Sequence, residues 1–195
     1  MEIIKGYGIG NNQFKPCKVA DFTVLNQGSR VVYNECNGVI VYGTYSGEAM
    51  LLVKAIPTQP YCCTMYVQNY GSLTNNSIYY GMCVRDSVTG NWEALEYICD
   101  ALFADLYVVR DWANTYTGGG SQPSYGYNIY NPNWFRITDD NTNRKYWLSR
   151  DGVNWVQFYS TSRTSFCTPN QIGFMAGYNT TSTLGIHSFN INYSS

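Results

Sequence analysis

Trp134-Phe-Arg-Ile-Thr138, Asp139-Asp-Asn-Thr-Asn143, Arg144-Lys-Tyr-Trp-Leu-Ser-Arg150, Asp151-Gly-Val-Asn154, Trp155-Val-Gln-Phe-Tyr159 and, after a polar connection, Gln171-Ile-Gly-Phe-Met-Ala-Gly177 make up the stretch that decides the fold. Phe135 and Ile137 alternate with Arg136 and Thr138, and Tyr146 and Leu148 alternate with Trp147 and Ser149. A period of two marks strands with one buried face. Clusters of Asn, Asp and Gly separate four such runs. Among them, Asp151-Gly152 is a pair that tolerates the positive φ of a two-residue hairpin. The stretch reads as an antiparallel meander.

Upstream, the same grammar continues. Phe22-Thr-Val-Leu25 starts a first strand, and Asn37-Gly38 between two β-branched runs (Arg30 to Cys36 and Val39 to Tyr42) predicts a type I′ hairpin. Glu48 to Ile56 has helical propensity, but it lies between Gly47 and Pro57 and is flanked by strands, so it reads as a buried strand. Tyr61 to Val67, Ser77 to Arg85, Trp92 to Ile98 and Leu102 to Arg110 complete a series whose spacing belongs to a sandwich or barrel. Residues 1–20, with Gly6, Gly8, Gly10 and Asn11-Asn12, lack a period and read as an N-terminal arm or a lead-in packed on its own domain.

Composition agrees with one β-rich domain. The chain has 195 residues, enough to bury a core without staples, and only 13% are charged. Nineteen tyrosines and 18 glycines are the excess, a mix suited to sheets and to interfaces. A formal net charge of −1 argues against nucleic acid or an anionic membrane as partner. The N-terminus lacks the pattern of a signal peptide, and no apolar run approaches a bilayer span. Seven cysteines without C-x-x-C spacing read as free thiols, with Cys62 and Cys63 pointing to opposite faces of a strand.

The wording of Trp134 to Tyr178 resembles the C-terminal half of concanavalin A-like (laminin G-like) jelly-roll domains, as found in tail-fibre and other virion surface proteins of tailed bacteriophages. Tyr80-Gly-Met-Cys-Val-Arg-Asp-Ser-Val-Thr-Gly90 is similar to the strand and turn "G-x-x-x-R-D-S-x-x-G" of that group, and Leu184 to Ile191 sits where its closing strand belongs. The resemblance spans about residues 20–193. It implies an all-β antiparallel sandwich over residues 21–195 and a place on the virion surface after synthesis in the host cytoplasm. There it would serve as tail fibre, receptor-binding or capsid-decoration protein. It also implies other virion proteins as partners, a homo-oligomer with a trimer favoured, and possible host-surface glycan binding. A carbohydrate-binding module outside a virion is the alternative, and a glucanase-like hydrolase a more distant one.

Residues 112–133 break the strand rhythm with a loop rich in Tyr, Ser, Gly and Asn, the mix that antibody paratopes use. Trp112, Tyr116, Tyr125, Tyr127 and Tyr130 are therefore the expected contact residues, toward a glycan, a sister subunit or their own domain. No catalytic set is expected. The paired carboxylates of jelly-roll glucanases require acids two or four apart on a strand, whereas Glu93 and Glu96 are three apart and face opposite sides. His187, the only histidine, has no acid or nucleophile near it in sequence. No cofactor or metal is expected either. Asp139-Asp-Asn-Thr-Asn143 begins like a calcium loop but has Arg144 and Arg150 where glycine and a bidentate acid belong, so it reads as a turn. Ser149 to Trp155, one residue short of the sialidase Asp-box, reads likewise as turn chemistry.

Overall fold

The computed structural model describes residues 16–35, 38–43, 48–70, 78–99, 106–116, 133–178 and 182–193. The strands are β1 (Thr23–Leu25), β2 (Val31–Glu35), β3 (Gly38–Gly43), β4 (Ala49–Ala55), β5 (Tyr61–Asn69), β6 (Ile78–Arg85), β7 (Trp92–Cys99), β8 (Leu106–Trp112), β9 (Trp134–Asp139), β10 (Asn143–Ser149), β11 (Val156–Ser162), β12 (Gln171–Tyr178) and β13 (Ser182–Tyr193). All pairings are antiparallel. A six-stranded sheet runs β1-β4-β12-β6-β7-β8, and a seven-stranded sheet runs β11-β10-β9-β5-β13-β3-β2. The chain is an all-β sandwich, and its helical content among the described residues is one 3-10 turn, Val19–Asp21.

The alternation in 134–149 translates directly into packing. Phe135 stands opposite Leu148 and Ile137 opposite Tyr146 in the β9–β10 register, and all four are buried between the sheets. Met50, Leu52, Met82, Leu95 and Phe174 meet them from the six-stranded sheet. Each such side chain contributes about 1.5–3 kcal/mol on leaving water, so reversing the face of any strand would forfeit several of these at once. β12 leaves the meander and crosses to the six-stranded sheet, between β4 and β6.

A second apolar cluster covers the other face of the six-stranded sheet. Ala49, Leu51, Val53, Cys83, Trp92, Ala94, Trp112 and Met175 form it, with Leu25, Tyr79 and Tyr116 packed against it. From Ala49 to Val53, β4 is therefore buried on both faces, which is why that run is continuously apolar rather than alternating. Gly177 makes room for this layer, since a Cβ there would come within 1.9 Å of Tyr79 Cε2.

Two turns differ from their expected form. Gly38 pairs with Glu35 and so belongs to β3 rather than to an Asn37-Gly38 turn. The β10–β11 connection runs over residues 150–155 instead of two residues. Asp151 causes this: its Oδ1 accepts the N–H groups of Val153 at 2.8 Å and Asn154 at 2.7 Å, and Gly152 takes φ +73. That arrangement satisfies the backbone locally and delays the next strand. At the other end of the chain, Cys17 is buried, Val19 packs on the core, and Cys17 Sγ lies 3.3 Å from the Ile186 carbonyl oxygen. The described end of the lead-in thus packs on its own domain. Cys17, Cys62, Cys63, Cys83 and Cys167 are free thiols, Cys63 in the core and Cys62 on the opposite face of β5.

Candidate functional site

The expected contact residues separate in the structure. Trp112 is a correction: it is 2% exposed, stacked on Trp92 with ring centroids 4.5 Å apart and planes 8° apart, and its indole N–H donates to Glu96 Oε1 at 2.8 Å. It is a core residue because β8 extends to it and lays its ring against the apolar face of the sheet. Tyr116 is half-buried against the same cluster, and its carbonyl accepts the Ala49 N–H at 2.8 Å. Tyr125, Tyr127 and Tyr130 lie outside the described residues.

Glu93 and Glu96 do face opposite sides of β7, and each is buried with its own partners. Glu93 Oε1 accepts from Arg144 Nε at 3.0 Å and from the Tyr146 hydroxyl, both reaching across from β10. Glu96, fully buried, faces Trp112 and, at 3.9 Å, the half-exposed Arg110. Burial pushes its carboxyl up from the ordinary 4.5 to about 7, against the downward pull of Arg110 and the indole N–H. The native state therefore binds this proton more tightly than the unfolded chain. The group's contribution is full below pH 4.5 and is lost as pH rises to about 7. We expect Glu96→Gln to remove that loss, which is on the order of 3 kcal/mol at 1.36 kcal/mol per unit. Urea midpoints of parent and variant followed from pH 4 to 8 check this, and parallel profiles would refute it.

A different surface gathers aromatic and polar side chains in the open. The outward positions of the seven-stranded sheet lie in rows across β5, β9 and β10. Tyr66 is level with Trp134, Thr64 with Arg136 and Trp147, and Cys62 with Thr138 and Lys145. All are half-buried, lying on the sheet with one side toward solvent. Tyr66 and Trp134 rings pack at 4.8 Å. Trp147 Nε1 donates to Thr138 Oγ1 at 3.0 Å, and Arg136 Nε donates to Thr64 Oγ1 at 3.2 Å. The 150–155 connection folds back over this face. Gly152 lies on the Trp134 ring, where a Cβ would meet Cε2 at 2.8 Å, and the Trp155 ring covers the Arg136 guanidinium at 3.7 Å. Flat rings beside hydroxyls and amides offer a sugar an apolar face together with hydrogen-bond partners.

The polar groups beside this face are occupied by turn chemistry. Asp151 binds backbone and side chain of Asn154 and accepts from Ser149 Oγ, holding its carboxyl well below the usual range, and Trp155 Nε1 donates to the Gly152 carbonyl at 3.1 Å. Asp140 accepts from Lys145 and from the Asn143 and Thr142 N–H groups, which push it down to about 2. Residues 139–143 are thus a hairpin turn, with Asn141 at φ +75. A depression of about 240 Å³ between Leu148, Ser149, Arg150, Asp151, Asn154 and Val156 borders the connection. His187 is the extra residue of β13 where its register with β5 shifts. No group of three or more His, Cys, Asp or Glu able to hold a metal occurs among the described residues.

Two antiparallel sheets packed in this order define a lectin-like jelly roll of the concanavalin A type. No family model matches the chain, and no curated protein matches it. Among solved structures it is similar to a functionally unknown protein from Saccharomyces cerevisiae, with a TM-score of 0.69 at 15% identity over 91% of this chain and 99% of that one. It is also similar to a legume lectin-like domain from Entamoeba histolytica, with a TM-score of 0.56 at 10% identity over 91% and 92%. A carbohydrate-binding module from Bacillus subtilis gives a TM-score of 0.56 at 9% identity over 88% and 95%. At these identities the likeness is one of fold.

Proposed function

We propose that this chain is a non-enzymatic glycan-binding module carried on the surface of a bacteriophage particle, as a tail-fibre, receptor-binding or decoration protein, and that it binds sugar on the outer face of the seven-stranded sheet. The observation that carries the binding reading is the open platform of Tyr66, Trp134, Trp147 and Trp155 interleaved with Thr64 and Thr138. Its fold is shared with a carbohydrate-binding module and a lectin-like domain. The virion setting rests on the resemblance of residues 134–178 and on a charge-poor surface suited to assembly. A contact of this size is weak, and copies arrayed on one particle would supply attachment through avidity. The non-enzymatic reading is supported by the two buried glutamates of β7, which face opposite sides and are each held by their own partners.

The test is a glycan array followed by calorimetry on the hits, with the Trp147→Ala and Trp155→Ala variants alongside the parent. Loss of an aromatic contact should weaken binding at least about tenfold while the thermal midpoint stays within a few degrees, since both rings sit at the surface. Parent-like affinity in both variants would remove the platform from consideration, and silence on the whole array would remove the glycan reading. Mass spectrometry of purified particles tests the virion setting separately.

A further inference from the structure

Arg136 is the feature of the platform that its packing does not explain. The other partly or fully buried cations around it have partners. Arg144 lies beside Glu93, Arg163 beside Asp139 and Lys145 beside Asp140, all within 3.1 Å, and Arg85 donates to Gln171 at 2.8 Å. Arg136 has no carboxylate partner among the described residues. Its Nε is used by Thr64, yet its two terminal nitrogens are neither hydrogen-bonded there nor buried. Meanwhile the guanidinium plane is held on one side by Trp155 and stands level with Trp147 on the neighbouring strand.

We propose that Arg136 makes this platform selective for sugars bearing a carboxylate, with the Nη1 and Nη2 edge forming two parallel hydrogen bonds to the acid while the sugar ring lies on Trp147. The inference rests on the glycan-binding reading above. A guanidinium presents a planar fork that matches a carboxylate in geometry, and charge-assisted pairs of this kind are about twice as strong as neutral ones. Thr64 and Trp155 fix the fork before the ligand arrives, so little side-chain freedom is lost on binding. The Thr138 hydroxyl, whose oxygen already accepts the Trp147 N–H, keeps its own proton to donate to a ring hydroxyl. The net charge of −1 means that attraction for an acid is local to this site and not a property of the whole surface.

The experiment compares oligogalacturonate with its methyl ester, the same sugar without the charge, by calorimetry at about 0.15 M salt, where screening of long-range attraction is strong. The parent should bind the acid at least tenfold tighter than the ester. Arg136→Gln should abolish that difference by weakening acid binding at least about tenfold, while Arg136→Lys, which keeps the charge but not the fork, should retain only part of the preference. Equal binding of acid and ester by the parent, or a preference that survives Arg136→Gln, would overturn the inference and leave the glycan-binding reading intact. Binding of neither probe, with a silent neutral array, would overturn both. The Lys variant also covers the case in which Gln loosens the Trp155 connection, because a cation still lies under the ring.

Discussion

Arg144→Ala will lower the free energy of unfolding by about 3–5 kcal/mol. The arginine is fully buried, and it reaches from β10 in one sheet to β7 in the other. Its Nε donates to Glu93 Oε1 at 3.0 Å and lies 2.7 Å from the Tyr146 hydroxyl, Nη1 donates to the Arg163 carbonyl at 2.8 Å, and Nη2 lies 2.9 Å from Glu93 Oε1. Removing it strands a carboxylate and a phenol in the core. The same logic makes Glu93→Ala costly, because an unpaired guanidinium is then left in the same place. The two losses should not add. Once either partner is gone the other is a liability, so the double variant will be less damaged than the sum by a few kcal/mol. Urea denaturation of the parent, both single variants and the double variant closes the cycle. Additive losses, or a loss under about 1 kcal/mol for Arg144→Ala, would show that the ion pair does not tie the sheets together.

That pair was half-visible in the sequence. Arg144 continues the period-two series of Tyr146 and Leu148, so the alternation already placed it on the buried face; its partner could not be read, because Glu93 lies 51 residues away and only the sandwich brings it across. The strand within residues 48–56 forms for a related reason, since the apolar run from Ala49 to Val53 fits a strand covered on both faces. Turn lengths were less legible. Asp151 and Gly152 marked a turn correctly, but the number of residues it takes depends on how many backbone N–H groups the aspartate captures.

The platform was missed altogether, although Trp134, Arg136, Thr138 and Trp147 stood at alternate positions in the very stretch that decided the fold. Read as the solvent side of a meander, they carried no chemistry until the registers placed Thr64 and Trp147 on either side of Arg136. Trp155 joins them only because the connection is longer than expected and doubles back. Composition drew attention instead to residues 112–133, where tyrosine, serine and glycine are dense. Composition reports what a loop can do, whereas burial of a particular ring is settled by the strand that precedes it.

Trp112 is where that distinction can be measured. The sequence left its contacts open among a glycan, a sister subunit and its own domain, and the structure stacks it on Trp92 with Tyr116 packed against the same cluster. Trp112→Ala should therefore cost about 3–5 kcal/mol, through lost transfer free energy and the cavity left beside Trp92. Trp112→Phe separates the two parts of the interaction. A smaller ring keeps much of the stacking on Trp92 but cannot donate to Glu96, leaving Oε1 of a fully buried carboxyl without its indole partner. That variant should lose only about 1–3 kcal/mol. Its carboxyl should also titrate above the parent's value of about 7, because the indole hydrogen bond is one of the two interactions that hold the value down. Unfolding free energies at pH 8 and the pH at which the Phe variant changes stability test both claims together. If Trp112→Ala unfolds within about 0.5 kcal/mol of the parent, the ring behaves as a surface residue and the cluster does not depend on it.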